Sequence, residues 1–233
     1  MSQPKRPIGF QVKICGVKSV DDIRAVEAAT ANQKLPAAVG LNFYPPSVRY
    51  LDPSDSTTRG ISEAAAQAKL LRVGVFVNLV TDAIESICDS VGLDIVQLHG
   101  DEEPKIAAEL IANGRDVIRA IKLPAAELTT TMITEKTSPW LAIGCHVLLD
   151  ADAGAQHGGS GKSLNWETVG QWAHEHPNLS WALAGGLNPQ NVAESIQLTN
   201  APTVDTASGV EETRGVKSAA LIQGFFRSAA SAM

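Results

Sequence analysis

LRVGVFV (71–77), then NLVTDAIESICDSVG, then LDIVQL (93–98), then HGDEEPKIAAELIANG and RDVIRAIK (115–122) form the stretch whose reading decides the fold. Short runs rich in Val, Ile and Leu at 71–77, 95–98 and 117–122 have strand character. Between them the apolar residues change period. Ile84, Ile87 and Cys88 fall on one helical face, and so do Ile106, Leu110 and Ile111. Thr81 with Asp82 opens the first of these helices. Pro104 opens the second, at a first turn that tolerates proline. The result is strand–helix–strand–helix–strand.

The same alternation extends in both directions. Strand runs are expected at 10–15, 37–43, 147–150, 181–184 and 203–206. Ser19 with Asp22 resembles a capping box ahead of Val20, Ile23 and Val26. Asn188-Pro189 is read as the first turn before Val192 and Ile196. An Ala-rich helix is expected over 216–230, with Leu221, Ile222 and Phe225 inward. Two segments are poor helix material: 124–142, which contains TTTMITEKTSP, and 53–68, which Gly60 weakens. Eight strand-then-helix units imply an α/β protein with eight parallel strands, a (β/α)8 TIM barrel. The open doubly wound sheet would show GxGxxG after its first strand, and KICGVK stands there instead. At about 150 residues per domain, 233 residues filled by eight units leave no room for a second domain, so 1–233 reads as one.

Composition narrows the function. Apolar residues make up 44% of the chain and charged ones 19%, which excludes a disordered chain. A net charge of −6 argues against a nucleic-acid partner. The longest apolar runs are a few residues, against roughly 20 for a spanning helix, so no membrane partner is expected. The N-terminal MSQPKRPIGFQVKIC has no apolar stretch of signal-peptide length, and the expected compartment is cytoplasmic. Cys15, Cys88 and Cys145 show neither CxxC nor zinc spacing. No metal is expected, and a small phosphorylated molecule is the expected partner of a monomer or homodimer.

In a barrel of this kind the C-terminal strand ends and the loops after them build the site. Gly185-Gly186 follows strand seven and Ser208-Gly209 follows strand eight, where bare amides suit a phosphate. Cys15 ends strand one and Asp150 ends strand six, a candidate base and acid. Lys13 shares the face of Cys15 by period-two alternation and is a candidate cation for a thiolate. Arg49, in a proline-stiffened loop, suits a bidentate carboxylate clamp. His99 either donates to a ligand or satisfies a strand end. Cys88 and Cys145 read as structural.

Taken together, VKICG (12–16), FYPPSVRY (43–50), RVGVFVN (72–78), VQLHGDE (96–102), LLD (148–150), GGSGKSLNW (158–166), LAGGLNPQNV (183–192) and VDTASGVE (204–211) resemble phosphoribosylanthranilate isomerase. The motifs occur in family order and span the chain. The resemblance implies an Amadori rearrangement of N-(5′-phosphoribosyl)anthranilate in tryptophan biosynthesis, without a cofactor. It implies Cys15 as general base and Asp150 as general acid. It implies Arg49 on the anthranilate carboxylate, Asp205 near the ribose, and Gly185, Gly186, Ser208 and Gly209 on the phosphate. Lys162 would add positive potential beside Arg49 and Lys13.

Two departures from the family pattern stand out. Ala207 occupies a place where a second serine is common. Extra residues at 31–35 and 129–140 are expected on the side away from the mouth. Two other readings stay open on residues alone. One is a non-catalytic barrel that binds phosphorylated ligands. The other is the related aminoaldose isomerase of histidine biosynthesis, which would need a carboxylate where Cys15 stands. A redox-sensor role for Cys15 would need a resolving thiol that the sequence does not place nearby.

Overall fold

The computed structural model describes residues 8–151 and 163–233. Its element order is β1 (Val12–Cys15), α1 (Val20–Gln33), β2 (Ala37–Asn42), α2 (Ser56–Gln67), β3 (Leu71–Phe76), α3 (Thr81–Val91), β4 (Ile95–Leu98) and α4 (Pro104–Ala112). It continues with β5 (Asp116–Leu123), α5 (Thr130–Ala142), β6 (His146–Ala151), α6 (Trp166–Glu175), β7 (Trp181–Leu183), α7 (Val192–Thr199) and β8 (Val204–Thr206). A 3₁₀ turn (Ser208–Val210), a hairpin of β9 (Glu211–Thr213) and β10 (Val216–Lys217), and α8 (Ala219–Ala230) complete it. Strands β1 to β8 close in chain order, with β8 parallel to β1. This is the (β/α)8 barrel that the alternation implies.

Two apolar layers hold it. Val12, Ile14, Val39, Leu41, Val96 and Leu98 face outward and bury the inner stripes of the helices, among them Ile23, Val26, Ile84, Leu110, Ile222 and Phe225. Each such side chain contributes about 1.5–3 kcal/mol on burial. Inside the barrel, Ile8, Phe10, Ala38, Val73, Ile95, Ile118, Leu148 and Ala182 fill a second cluster. That plug confines any ligand to the layer above it.

Local signals behaved unequally. The Ser19 capping box forms in full, yet Val20 is exposed and Ala29 takes the third inward place beside Ile23 and Val26. Thr81 does not cap α3: Val80 holds the cap position, and the Thr81 hydroxyl donates to Glu109. Pro104 opens α4 as expected. Pro189 lies ahead of α7, which begins only after Asn191. Asn188 there forms a turn, its Oδ1 accepting from the Gln190 amide at 2.9 Å. Val216 and Lys217 belong to β10 rather than to the last helix, because Gly215 at φ +85° turns the chain back on β9.

The weak segment 124–142 still forms α5, with Pro139 inside it, because Ile133, Thr137 and Trp140 bury one face. Packing there overrides a penalty of about 3 kcal/mol for an interior proline. The extra residues at 31–35 close α1 at the bottom of the barrel. Those at 129–140 start at the mouth end, since Thr129 caps α5 directly after the β5 loop. Only the later turns of α5 therefore lie away from the mouth. Met1–Pro7 and residues 152–162, including the whole of GGSGK with Lys162, lie outside the described residues.

Candidate active site

Alternation along β1 turns Lys13 and Cys15 into the barrel. A Cβ built on Gly40, the β2 partner of Cys15, would lie 2.8 Å from Cys15 Sγ and 3.2 Å from Lys13 Cε. Both side chains therefore lean over the same bare stretch of β2. Lys13 is fully buried, with Nζ 2.8 Å from Asp205 Oδ1 on the neighbouring strand β8. Burial opposes its charge, but Asp205 and then Cys15 outweigh that and hold Lys13 above its ordinary range.

Above this layer lies a cavity of about 280 Å³. Cys15, Arg49, His99, Asp150, Gly185, Gly186, Asp205 and Ser208 all line it, so eight of the expected site residues meet at one mouth. Gly209 does not line it. A Cβ there would fall 1.9 Å from the Leu187 carbonyl oxygen, so this glycine serves the close approach of two loops.

The Asp150 side chain is 16% exposed, at the cavity surface but ringed by protein. Burial raises its pKa first and the Asp205 carboxylate adds to that. The Ala151 amide, Lys13 and Lys122 pull it back only in part, leaving it at about 7. Near neutral pH this carboxyl therefore carries a proton part of the time, as a general acid requires. His99 Nε2 stands 3.6 Å from Asp150 Oδ2, and His99 Nδ1 lies 3.0 Å from Gln97 Nε2. With Nδ1 accepting from the Gln97 amide, a neutral imidazole carries its proton on Nε2, toward Asp150.

At the end formed by β7 and β8, Gly185 and Gly186 both take positive φ, +89° and +67°, which side chains disfavour. Among the described residues no acceptor meets the amides of Gly185, Gly186 or Ser208. Bare donors at this place suit an anion.

Arg49 also lines this cavity. Gly16 makes room for it: a Cβ on Gly16 would lie 2.2 Å from Arg49 Cδ. The guanidinium donates through Nε and Nη2 to Glu211, at 2.6 and 2.8 Å. The expected bidentate edge is thus already occupied by a carboxylate of the chain itself, and Nη1 with the outer side of Nη2 is what remains for a ligand. Burial pushes Glu211 up, but Arg49, the Gly215 amide and Lys217 overcome it and hold the carboxyl at about 2.

Asn42, Tyr44, Val48, Gln97 and Arg214 also line the cavity, and the sequence motifs assign them no role. Gln97 lies two residues before His99 and faces the same side. Its Oε1 is buried with no hydrogen-bond partner among the described residues. Glu211 sits in a quoted motif without a role, and nothing local marks Lys217. Cys88 and Cys145 are buried away from the cavity, and burial lifts Cys88 to about 11. Among the described residues no His, Cys, Asp and Glu cluster is arranged to hold a metal ion, and no helix is long and apolar enough to cross a membrane.

The profile of the family described as N-(5'phosphoribosyl)anthranilate (PRA) isomerase matches residues 12–228. A relative of that name from Acinetobacter calcoaceticus is 35% identical over 226 residues, 93% of this chain and 95% of the relative. One from Rhodospirillum centenum is 36% identical over 229 residues, 95% and 98% of the two chains. The crystal structure of phosphoribosyl anthranilate isomerase from Thermotoga maritima superposes with a TM-score of 0.80 at 30% identity, covering 95% of this chain and 99% of that one. A structure of such an enzyme in complex with reduced 1-(o-carboxyphenylamino)-1-deoxyribulose 5-phosphate superposes with a TM-score of 0.76 at 29% identity, with the same coverage.

Proposed function

Because this chain belongs to the N-(5'-phosphoribosyl)anthranilate isomerase family, we propose that it converts N-(5′-phosphoribosyl)anthranilate to 1-(2-carboxyphenylamino)-1-deoxyribulose 5-phosphate in tryptophan biosynthesis. Cys15 is the general base and Asp150 the general acid. The observation that carries this reading is the sharing of one cavity by the Cys15 thiol and a carboxyl that titrates near 7, with Arg49 and the bare-amide loops lining the same cavity.

Asp150 donates its proton to the furanose ring oxygen as the C1′–O4′ bond breaks, leaving an iminium at C1′. The iminium acidifies the C2′ proton, and the Cys15 thiolate removes it. The resulting enolamine tautomerises, with a proton arriving at C1′ and the C2′ hydroxyl becoming the ketone. The reaction is an internal redox exchange between C1′ and C2′, so electrons balance without an external carrier. Lys13 stands beside the thiolate as its countercharge. The His99 Nε2 proton faces the carboxylate left on Asp150. The amides of Gly185, Gly186 and Ser208 take the phosphate, and Arg49 faces the anthranilate carboxylate.

The test is turnover of freshly prepared phosphoribosylanthranilate, followed by loss of its fluorescence. Conversion by the wild-type protein and its loss in Cys15→Ser are expected. Conversion only of the aminoaldose of histidine biosynthesis, or tight product binding without turnover, would overturn the reading.

A further inference from the structure

Glu211 is the first residue of β9, and its side chain is 3% exposed. Four donors converge on its two oxygens: Arg49 Nε at 2.6 Å and Nη2 at 2.8 Å, Lys217 Nζ at 2.9 Å and the Gly215 amide at 3.0 Å. Lys217 also donates to the Ala207 carbonyl at 2.8 Å, next to Ser208. A carboxylate beside an anion site is adverse by charge alone, so its presence calls for a geometric reason. Arg49 projects from a loop, and a long side chain held by one edge keeps one orientation.

We propose that Glu211 is a positioning residue for the carboxylate end of the site: it grips the Nε and Nη2 edge of Arg49 so that Nη1 is presented to the substrate. This rests on the functional reading above. It assigns no proton transfer to Glu211, which stays ionised throughout and is saturated by its four donors.

Charge and geometry predict opposite outcomes for Glu211→Gln. Removal of a negative charge would tighten anion binding. Loss of the bidentate grip leaves one Arg49 N–H facing an amide N–H, frees the guanidinium and weakens binding. The experiment compares two ligands by calorimetry, reduced 1-(o-carboxyphenylamino)-1-deoxyribulose 5-phosphate and its phenylamino counterpart without the carboxyl group. In Glu211→Gln the first should bind about tenfold or more weaker and the second within about threefold of wild type. KM for the substrate should rise with kcat little changed, and Glu211→Asp, which keeps the charge, should recover part of the loss.

Unchanged or tighter binding of the carboxylate ligand, or equal loss for both ligands, would overturn the proposal. So would failure of both variants to fold, which assigns Glu211 to stability alone. Failure of the wild-type protein to bind or turn over its substrate is a different result and would remove the functional reading itself.

Discussion

Lys13 Nζ and Asp205 Oδ1 lie 2.8 Å apart in the layer between the apolar plug and the cavity, with the lysine entirely out of contact with solvent. The pair joins β1 to β8 where the barrel closes. It also sets the charge felt by Asp150, since Asp205 raises the Asp150 pKa and Lys13 lowers it.

Replacement of Lys13 by Met would strand a buried aspartate. A loss of about 3–5 kcal/mol is expected in chemical denaturation at neutral pH. Withdrawal of the cation should also move Asp150 further above its present value. A variant as stable as wild type would show that the pair is not held as described.

Cys15→Ser should fold, bind the reduced product and lose turnover by on the order of 10²–10⁴-fold. The fluorescence assay reads the turnover and calorimetry reads the binding. Near-normal turnover would move the base elsewhere in the cavity.

Asp150 titrates near 7 in the folded protein, against an ordinary 3.8. As the acid, it should make kcat/KM fall with rising pH above about 7. The same shift bears on stability. Between the two values the folded state holds more protons than the unfolded one, so stability declines as pH rises through that window and the full burden remains above 7. At roughly 1.4 kcal/mol per pH unit the upper figure is about 4 kcal/mol, less the effect of partial exposure. Asp150→Asn should therefore be inactive yet more stable than wild type at pH 8, with the difference gone by pH 4. Thermal unfolding at the two pH values checks it, and equal melting temperatures at pH 8 would contradict the buried-carboxyl assignment.

Ser19→Ala removes the side chain that accepts from the Asp22 amide in a complete capping box. A loss of about 1 kcal/mol is expected, with KM and kcat unchanged. Equilibrium unfolding in urea measures it. An effect on kcat would mean that the start of α1 also governs the neighbouring Cys15 loop.

The barrel was legible because strand and helix periods alternate strongly along the chain, and the rule that sites form at strand ends led to Cys15, Asp150 and His99. The same reasoning misplaced Val216 and Lys217. An Ala-rich segment favours helix through either residue, and only pairing with β9 overrides it. Gly209, expected among the phosphate ligands, lies outside the cavity lining, and its lack of a side chain answers the approach of the Leu187 carbonyl. Gln97 escaped notice because a glutamine inside a strand carries no local signal until its partners are known.

What the chain determines by itself is the order of its elements and the face each strand residue takes, since both follow from periods of two and 3.6 residues and from caps a few positions away. Tertiary structure alone decided how the charged groups pair. Arg49 and Glu211 are 162 positions apart, and no local pattern reveals that one edge of the guanidinium is already taken. Nor does any local pattern reveal that Asp150 holds its proton near neutral pH, because that depends on burial and on carboxylates and ammonium groups brought in by other strands.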